Sequence, residues 1–389
     1  MIFLQRRLWN EDYLFATGVI VDQTLYYFSE NENDFMEMDM NSWTINYSDK
    51  IDGYMSESSK RADMLRSYGD KIFKLGIDGK CIEEFSLGKS GCRKIVLDGF
   101  EKEWDNYTAF DVKNDFLYIF AKWKRELVKI NINDYKVKKW IIPVERERIH
   151  GSFIGFSASY IQKNTIWLFE FGSSRVTEYD MDENSAVFYY LPHEVKDCIS
   201  ICRVENTFYM LNFRGLIYVW NVNSNKCRLF SNLQKYSDKE YYFEEMIAVQ
   251  KQLILLPGLG TDIVIVDCAT GDIRLYEDSP RDITYLDRKM GKYVNRFEDR
   301  KYYYYPMRMS EYIVRMDKES GVIDWKKPKF PSQKEKMFYL YAKNKKYPVV
   351  LTEGLKSISF FRKYIEYVEE RKVKTKDMKI GNKIWGIIR

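Results

Sequence analysis

Apolar and polar residues alternate along most of this chain in short runs, and each run ends in a cluster of Asp, Asn, Gly or Ser. Alternation with period two places every second side chain on one face of a half-buried strand, and the clusters supply turns. Seven segments share this plan: FMEMDMNSWTINY (35–47), IFKLGIDGKCIEEF (72–85), LVKININDYKVKKW (127–140), VTEYDMDENSAVFYY (176–190), IYVWNVNSNKCRLF (217–230), IVIVDCATGDIRLY (263–276) and IVRMDKESGVIDW (313–325). Aligned at Asp39, Gly76, Asn131, Asp180, Asn221, Asp267 and Asp317, they are separated by 37, 55, 49, 41, 46 and 50 residues. The mean, about 46, is the period of a four-stranded propeller blade.

An aromatic-rich run precedes six of these hairpins at nearly constant distance: TLYYFSE (24–30), DFLYIFA (115–121), TIWLFEF (165–171), TFYMLNF (207–213), QLILLPG (252–258) and KYYYYPM (301–307). Weaker runs such as GVIVD (18–22), FSASYI (156–161) and MIAVQ (246–250) complete four strands per unit. The expectation is an all-β propeller of seven four-stranded blades over residues 1–330, with six blades as the alternative. Unit two has little room for four strands and reads as short or irregular. A pair of β-sandwiches would also give many short strands, but without a fixed period of this length.

At these residues the chain resembles bacterial β-propellers with quinoprotein-like or surface-layer-type repeats, and IVIVDCATGDIRLY (263–276) is the segment most like them. Trp220-Asn221 and Tyr179-Asp180 are similar to the Trp-Asp end of a WD-repeat blade, although the Gly-His dipeptide of that family and the paired glycines of kelch repeats are absent. The resemblance covers about residues 15–330. It implies a shared frame and transfers no catalytic residue.

Residues 331–389 carry 15 Lys+Arg and 6 Asp+Glu, net +9, whereas the first 330 residues are net −4. The chain's +5 therefore describes a basic extension on a mildly acidic body, and no nucleic acid is expected as a partner. Within the extension, Ile358, Phe361, Ile365 and Val368 fall at helical spacing, so residues 357–371 read as an amphipathic helix with Ser357 as N-cap.

Two histidines, His150 and His193, leave little room for zinc sites or His-based acid/base chemistry. The six cysteines are scattered, which fits a reducing cytoplasm. Cys198 and Cys202 read as buried residues on one side of a strand. No metal and no cofactor is expected, no run is long and apolar enough to span a membrane, and the start breaks at Arg6 and Arg7 before a signal-peptide apolar region develops. GLGTDIV (258–264) lacks the Lys and spacing of a phosphate loop and reads as a turn.

In a four-stranded blade, the loops between strands two and three emerge on the same face as the blade-to-blade loops. That face would collect Trp123, Lys124 and Arg125 in unit three, Arg175 in unit four, Phe213 and Arg214 in unit five, and Arg308 in unit seven. Arg146, Arg148, His150, His193 and Arg281 would join them from the blade-to-blade loops, while unit one is acidic there, at Glu30 to Asp34. Arginine offers planar two-point hydrogen bonding, and Trp123 offers a stacking surface. The sequence reads as a non-enzymatic scaffold binding a protein or peptide on this face. A carbohydrate- or anionic-metabolite-binding protein or enzyme with its site at the channel mouth is the alternative.

Overall fold

The computed structural model describes residues 17–28, 35–47, 62–76, 81–87, 92–97, 107–121, 126–142, 155–170, 172–234, 243–258, 262–277, 280, 296–307 and 312–329. The chain divides into two compact units, Met1–Phe338 and Tyr339–Arg389. The described residues belong to the first, and the helix expected at 357–371 lies outside them.

Seven antiparallel four-stranded sheets follow one another in sequence. Blade one comprises β1 (Thr17–Val21), β2 (Thr24–Phe28), β3 (Phe35–Asp39) and β4 (Thr44–Tyr47), and blade two β5 (Ala62–Tyr68), β6 (Lys71–Gly76), β7 (Cys81–Ser86) and β8 (Cys92–Val96). Blade three has β9 (Tyr107–Lys113), β10 (Phe116–Ala121), β11 (Glu126–Asn131) and β12 (Val137–Ile141), and blade four β13 (Phe156–Gln162), β14 (Thr165–Glu170), β15 (Arg175–Asp180) and β16 (Ser185–Tyr190). Blade five has β17 (Cys198–Val204), β18 (Thr207–Asn212), β19 (Leu216–Asn221) and β20 (Lys226–Asn232), and blade six β21 (Phe243–Val249), β22 (Gln252–Pro257), β23 (Val264–Asp267) and β24 (Ile273–Leu275). Blade seven has β25 (Phe297–Glu298), β26 (Tyr302–Pro306), β27 (Ile313–Asp317) and β28 (Ile323–Lys326). The first strand of each blade packs beside that of the next, and β25 returns to β1, so seven inner strands encircle an axis. The chain is a seven-bladed β-propeller.

The turn at the end of each third strand explains the repeat. The Asp or Asn that closes the strand bends its side-chain oxygen back onto the backbone N–H groups two and three residues ahead. Asp39 accepts from Asn41 and Ser42 at 2.7 and 2.9 Å, Asp180 from Asp182 and Glu183 at 2.8 Å each, and Asp267 from Ala269 and Thr270 at 2.8 and 3.0 Å. Asn131 and Asp317 cap their turns in the same way, and Asn221 accepts from the amide and hydroxyl of Ser224. In these six turns the fifth residue has positive φ: Gly271 and Gly321, Asn184 and Asn225, but also Trp43 and Tyr135. Left-handed backbone is unfavourable for an aromatic residue. Both aromatic side chains reach an adjacent blade: Trp43 lies 6.1 Å from the Tyr304 ring, and the Tyr135 hydroxyl donates to Glu84 at 2.7 Å.

Blade two corrects the sequence alignment. It has four full strands, and Gly76 ends its second strand, so the segment 72–85 is one strand out of register with the other six. A bond common to all blades fixes the true equivalence. The residue after each third strand donates its amide to the turn between strands one and two, as Met40 does to Gln23 at 2.9 Å and Cys268 to Lys251 at 2.8 Å. In blade two the donor is Leu87, to Asp70 at 2.7 Å, which makes Ser86 the counterpart of the Asp and Asn residues elsewhere. The separations from Asp39 to Ser86 and from Ser86 to Asn131 are then 47 and 45 residues.

Apolar faces of adjacent blades form the core. Between blades four and five, Phe208 stacks on Trp220 with centroids 5.4 Å apart, and Trp167 sits 4.8 Å from Phe208. The tyrosine run 302–305 splits by parity: Tyr304 packs with Phe297 and Trp43 on the blade-one side, while Tyr303 and Tyr305 pack against blade six. A β-bulge at the second residue of the inner strand recurs in blades two to six. In β17 it reverses the side-chain alternation, so Cys198 faces blade four and Cys202 faces blade six. The two cysteines are buried, but on opposite sides of their strand rather than on one.

Candidate functional site

The loop-rich face is built from strand ends. Blade four's Leu191 amide donates to the Ser174 carbonyl at 2.9 Å, and blade five's Leu233 amide to Gly215 at 2.9 Å, so loops between strands two and three lie beside the ends of outer strands. The opposite face carries the tight turns described above.

Of the twelve predicted face residues, eight lie outside the described residues: Trp123, Lys124, Arg125, Arg146, Arg148, His150, Arg281 and Arg308. Beside His193, the remaining three separate into two kinds. Arg175 is 3% exposed and ion-paired with Glu170 at 2.9 Å, its guanidinium over the Phe188 ring. It belongs to the interior of blade four and offers nothing to a partner. Phe213 and Arg214 are exposed at the tip of their loop. Buried Asn212 holds that tip rigid by accepting from the Arg214 and Leu216 amides at 3.0 and 2.9 Å, with Gly215 supplying a φ of 77°. The Arg214 guanidinium lies 5.6 Å from the Phe213 ring centroid. The adjoining loop after β16 adds exposed Tyr190 and His193 and is tied down by the Tyr218 hydroxyl, which donates to the Glu194 carbonyl at 3.2 Å.

Among the described residues, five of the nine exposed large apolar side chains lie on this face, Phe213 and four at strand ends, while Val137 and Val322 flank turns on the opposite face and Val187 and Leu229 lie within outer strands. Val96, Ile141, Tyr190 and Leu275 each lie at the last residue of a blade's outer strand, where Ile141 is 71% exposed. Sequence reasoning missed them because an apolar residue ending a strand looks like core.

A second constellation, inside the ring of inner strands, also escaped the sequence. Arg66 of blade two lies with Nε 3.7 Å from Asp111 of blade three, and Arg296 of blade seven donates to Glu245 of blade six at 2.6 Å. Arg296 also lies 4.9 Å from the Tyr303 ring centroid, while Tyr160 of blade four packs edge-on to Phe208 of blade five with centroids 5.7 Å apart, and burial raises its pKa. Burial raises the pKa of Glu245 despite the cation beside it, and burial likewise lowers that of Arg66 despite Asp111. The members of each ion pair come from different blades, so they come together only once the blade register is known. Among the described residues, no group of three or more His, Cys, Asp or Glu is arranged to hold a metal ion.

No protein-family model matches the chain, and no curated protein matches it in sequence. Among solved structures it is similar to the computationally designed Ika8 protein, with a TM-score of 0.51 and 11% identity over 81% of this chain and 88% of that one. It is also similar to U3-55K (TM-score 0.49, 10% identity, 78% and 89% covered) and to BamB from Moraxella catarrhalis (0.46, 9%, 80% and 84%). At 11% identity the likeness to Ika8 is one of fold.

Proposed function

We propose that this propeller is a non-enzymatic scaffold that binds a protein or peptide through its loop-rich face. The observation that carries the reading is the exposed apolar rim of Val96, Ile141, Tyr190 and Leu275, joined by the rigidly presented Phe213–Arg214 tip. Exposed aromatic and arginine side chains on a fixed backbone lose little freedom on binding and are favoured anchors at interfaces. The opposite face consists largely of short turns whose polar groups are satisfied internally.

Six free thiols suit a reducing, cytoplasmic setting, and the Asp-capped turns support kinship with quinoprotein-like or WD-like bacterial propellers. Capture from native lysate, with the full chain beside a Tyr190→Asp/Phe213→Asp/Arg214→Glu variant, tests the scaffold reading. A stoichiometric protein retained by the first and lost from the second is the expected result; equal retention by both overturns it.

A small ligand in the central channel is the second reading, favoured by the ionic cluster inside the ring.

A further inference from the structure

The outer strands of the seven blades carry charge of nearly one sign. Together they hold eight Lys or Arg and one carboxylate, Asp324, although the first 330 residues are net −4. In blades two, five and seven these cations are answered or the edge is broken. Arg93 and Lys94 of β8 stand opposite Glu84 and Glu83 across the ladder, Lys326 of β28 pairs with Asp324 at 2.9 Å, and a bulge interrupts the register of β19 with β20. Blade three differs. Exposed Lys138 of β12 stands directly opposite Lys129, whose ammonium rests 4.4 Å from the Phe116 ring centroid. Like charges opposed across a ladder are destabilising, and among the described residues no carboxylate pairs with either lysine.

The backbone of β12 is open as well. The Asn131 amide donates to the Lys136 carbonyl at 3.1 Å, and alternation from that pair turns the N–H and C=O groups of Val137 and Ile141 away from β11. Among the described residues no strand pairs with β12 on that side. Blade one shows what such an edge can do, because there the outer edge of β4 is filled: Ile45 donates to Lys329 and Lys329 to Trp43, each at 2.7 Å. Counted from the capping residues Asp39 and Asn131, Ile45 corresponds to Val137 and Trp43 to Tyr135.

We propose that the outer edge of blade three takes an extended acidic segment of a partner protein as a fifth strand. The outward backbone groups offer a ladder that an extended chain can join, and the lysines select its charge. A carboxylate beside Lys138 relieves its opposition to Lys129. A second copy of this edge would bring lysine against lysine, which disfavours self-pairing. The inference concerns the perimeter of the propeller and does not depend on the loop-rich face.

Fluorescence anisotropy on the full chain tests this, with a labelled, end-capped octapeptide of alternating glutamate and valine as the probe. The peptide is expected to bind, and the Val137 and Ile141 amides are expected to gain protection from hydrogen exchange in the complex. Lys138→Glu and Val137→Pro are each expected to weaken binding about tenfold. Neither substitution attacks the blade: the first sets a carboxylate opposite Lys129, the second removes an amide that faces outward, and thermal melts confirm that both remain folded. Lys226→Glu/Arg228→Glu, on the outer strand of blade five, leaves the affinity unchanged, and a peptide with proline at its two central positions binds at least about tenfold more weakly. No binding at millimolar concentration, equal binding by the proline peptide or by a thymidine octanucleotide, equal loss from the blade-five variant, or an affinity indifferent to Val137→Pro overturns the proposal. Protection of the Val137 amide in the free protein overturns it too, because another part of the chain would then hold the edge.

Discussion

Lys329 accepts a hydrogen bond from the Ile45 amide at 2.7 Å and donates its own amide to the Trp43 carbonyl at 2.7 Å, so the chain leaving blade seven lies along the outer edge of blade one. A propeller made of consecutive blades has a seam where its two ends meet, and these two bonds span it. The inner side of the same seam is tightly packed: a Cβ on Gly18 would fall 2.7 Å from Leu25 Cδ1 and 3.3 Å from Phe297 Cδ1.

Lys329→Pro removes the amide that Trp43 needs, and the substitution is expected to cost about 1 kcal/mol in urea unfolding. Hydrogen exchange at Ile45 should accelerate at the same time. Unchanged exchange at Ile45 would show that the seam is held elsewhere.

The capped turns predict an acid limit to stability. Backbone N–H groups hold the carboxyls of Asp39, Asp267 and Asp317 below the ordinary carboxylate value. A lowered folded pKa contributes stability that is present above the unfolded value, about 4, and is lost as pH falls through the folded one. Asp267→Asn keeps the acceptor, as Asn131 and Asn221 do, and removes the titration. Its melting temperature should fall less than the wild type's between pH 5 and pH 2, in a scan by circular dichroism.

Two arginines, one buried at the start of β15 and one at a loop tip, are expected to behave oppositely. Arg175→Ala leaves Glu170 buried without its cation and should cost about 3 kcal/mol in denaturant unfolding. Arg214→Ala removes an exposed side chain and should stay within about 0.5 kcal/mol. A marked loss of stability from Arg214→Ala would place it in the framework rather than on a binding surface.

Tyr135 bridges blades two and three. Its hydroxyl donates to the buried Glu84, which also faces the Lys71 ammonium at 3.1 Å. Tyr135→Phe withdraws one donor from that carboxylate and should lower stability by about 1 to 2 kcal/mol. Tyr135→Phe in a Glu84→Gln background should cost clearly less, which a double-mutant cycle measures.

Much of the architecture was legible because each blade repeats a local physical device. A side-chain oxygen that caps a turn requires Asp or Asn, and strands that pack between blades require alternating aromatic and aliphatic residues. Blade two went astray because Ser86 stands where the others have Asp or Asn, while Gly76 and the glycine after it imitate the turn one strand early. The face was legible in outline, since Phe213 and Arg214 fall in the loop that strand order demands. Arg175 was misleading: sequence shows the loop it borders but not Glu170, whose carboxylate turns it inward. The inner-strand ion pairs were hidden for a different reason, because Arg66 and Asp111 are 45 residues apart and Glu245 and Arg296 are 51 apart, and each pair meets only when adjacent blades pack.

Site-specific photo-crosslinking in the native cell tests the central claim most directly, with a photoreactive side chain placed at Phe213 on the loop-rich face and, separately, at Lys251 on the turn face. One discrete protein adduct from position 213 and none from position 251 is the predicted result. A discrete adduct from position 251 with none from position 213, or no adduct from either, would contradict the assignment of the loop-rich face as the binding surface.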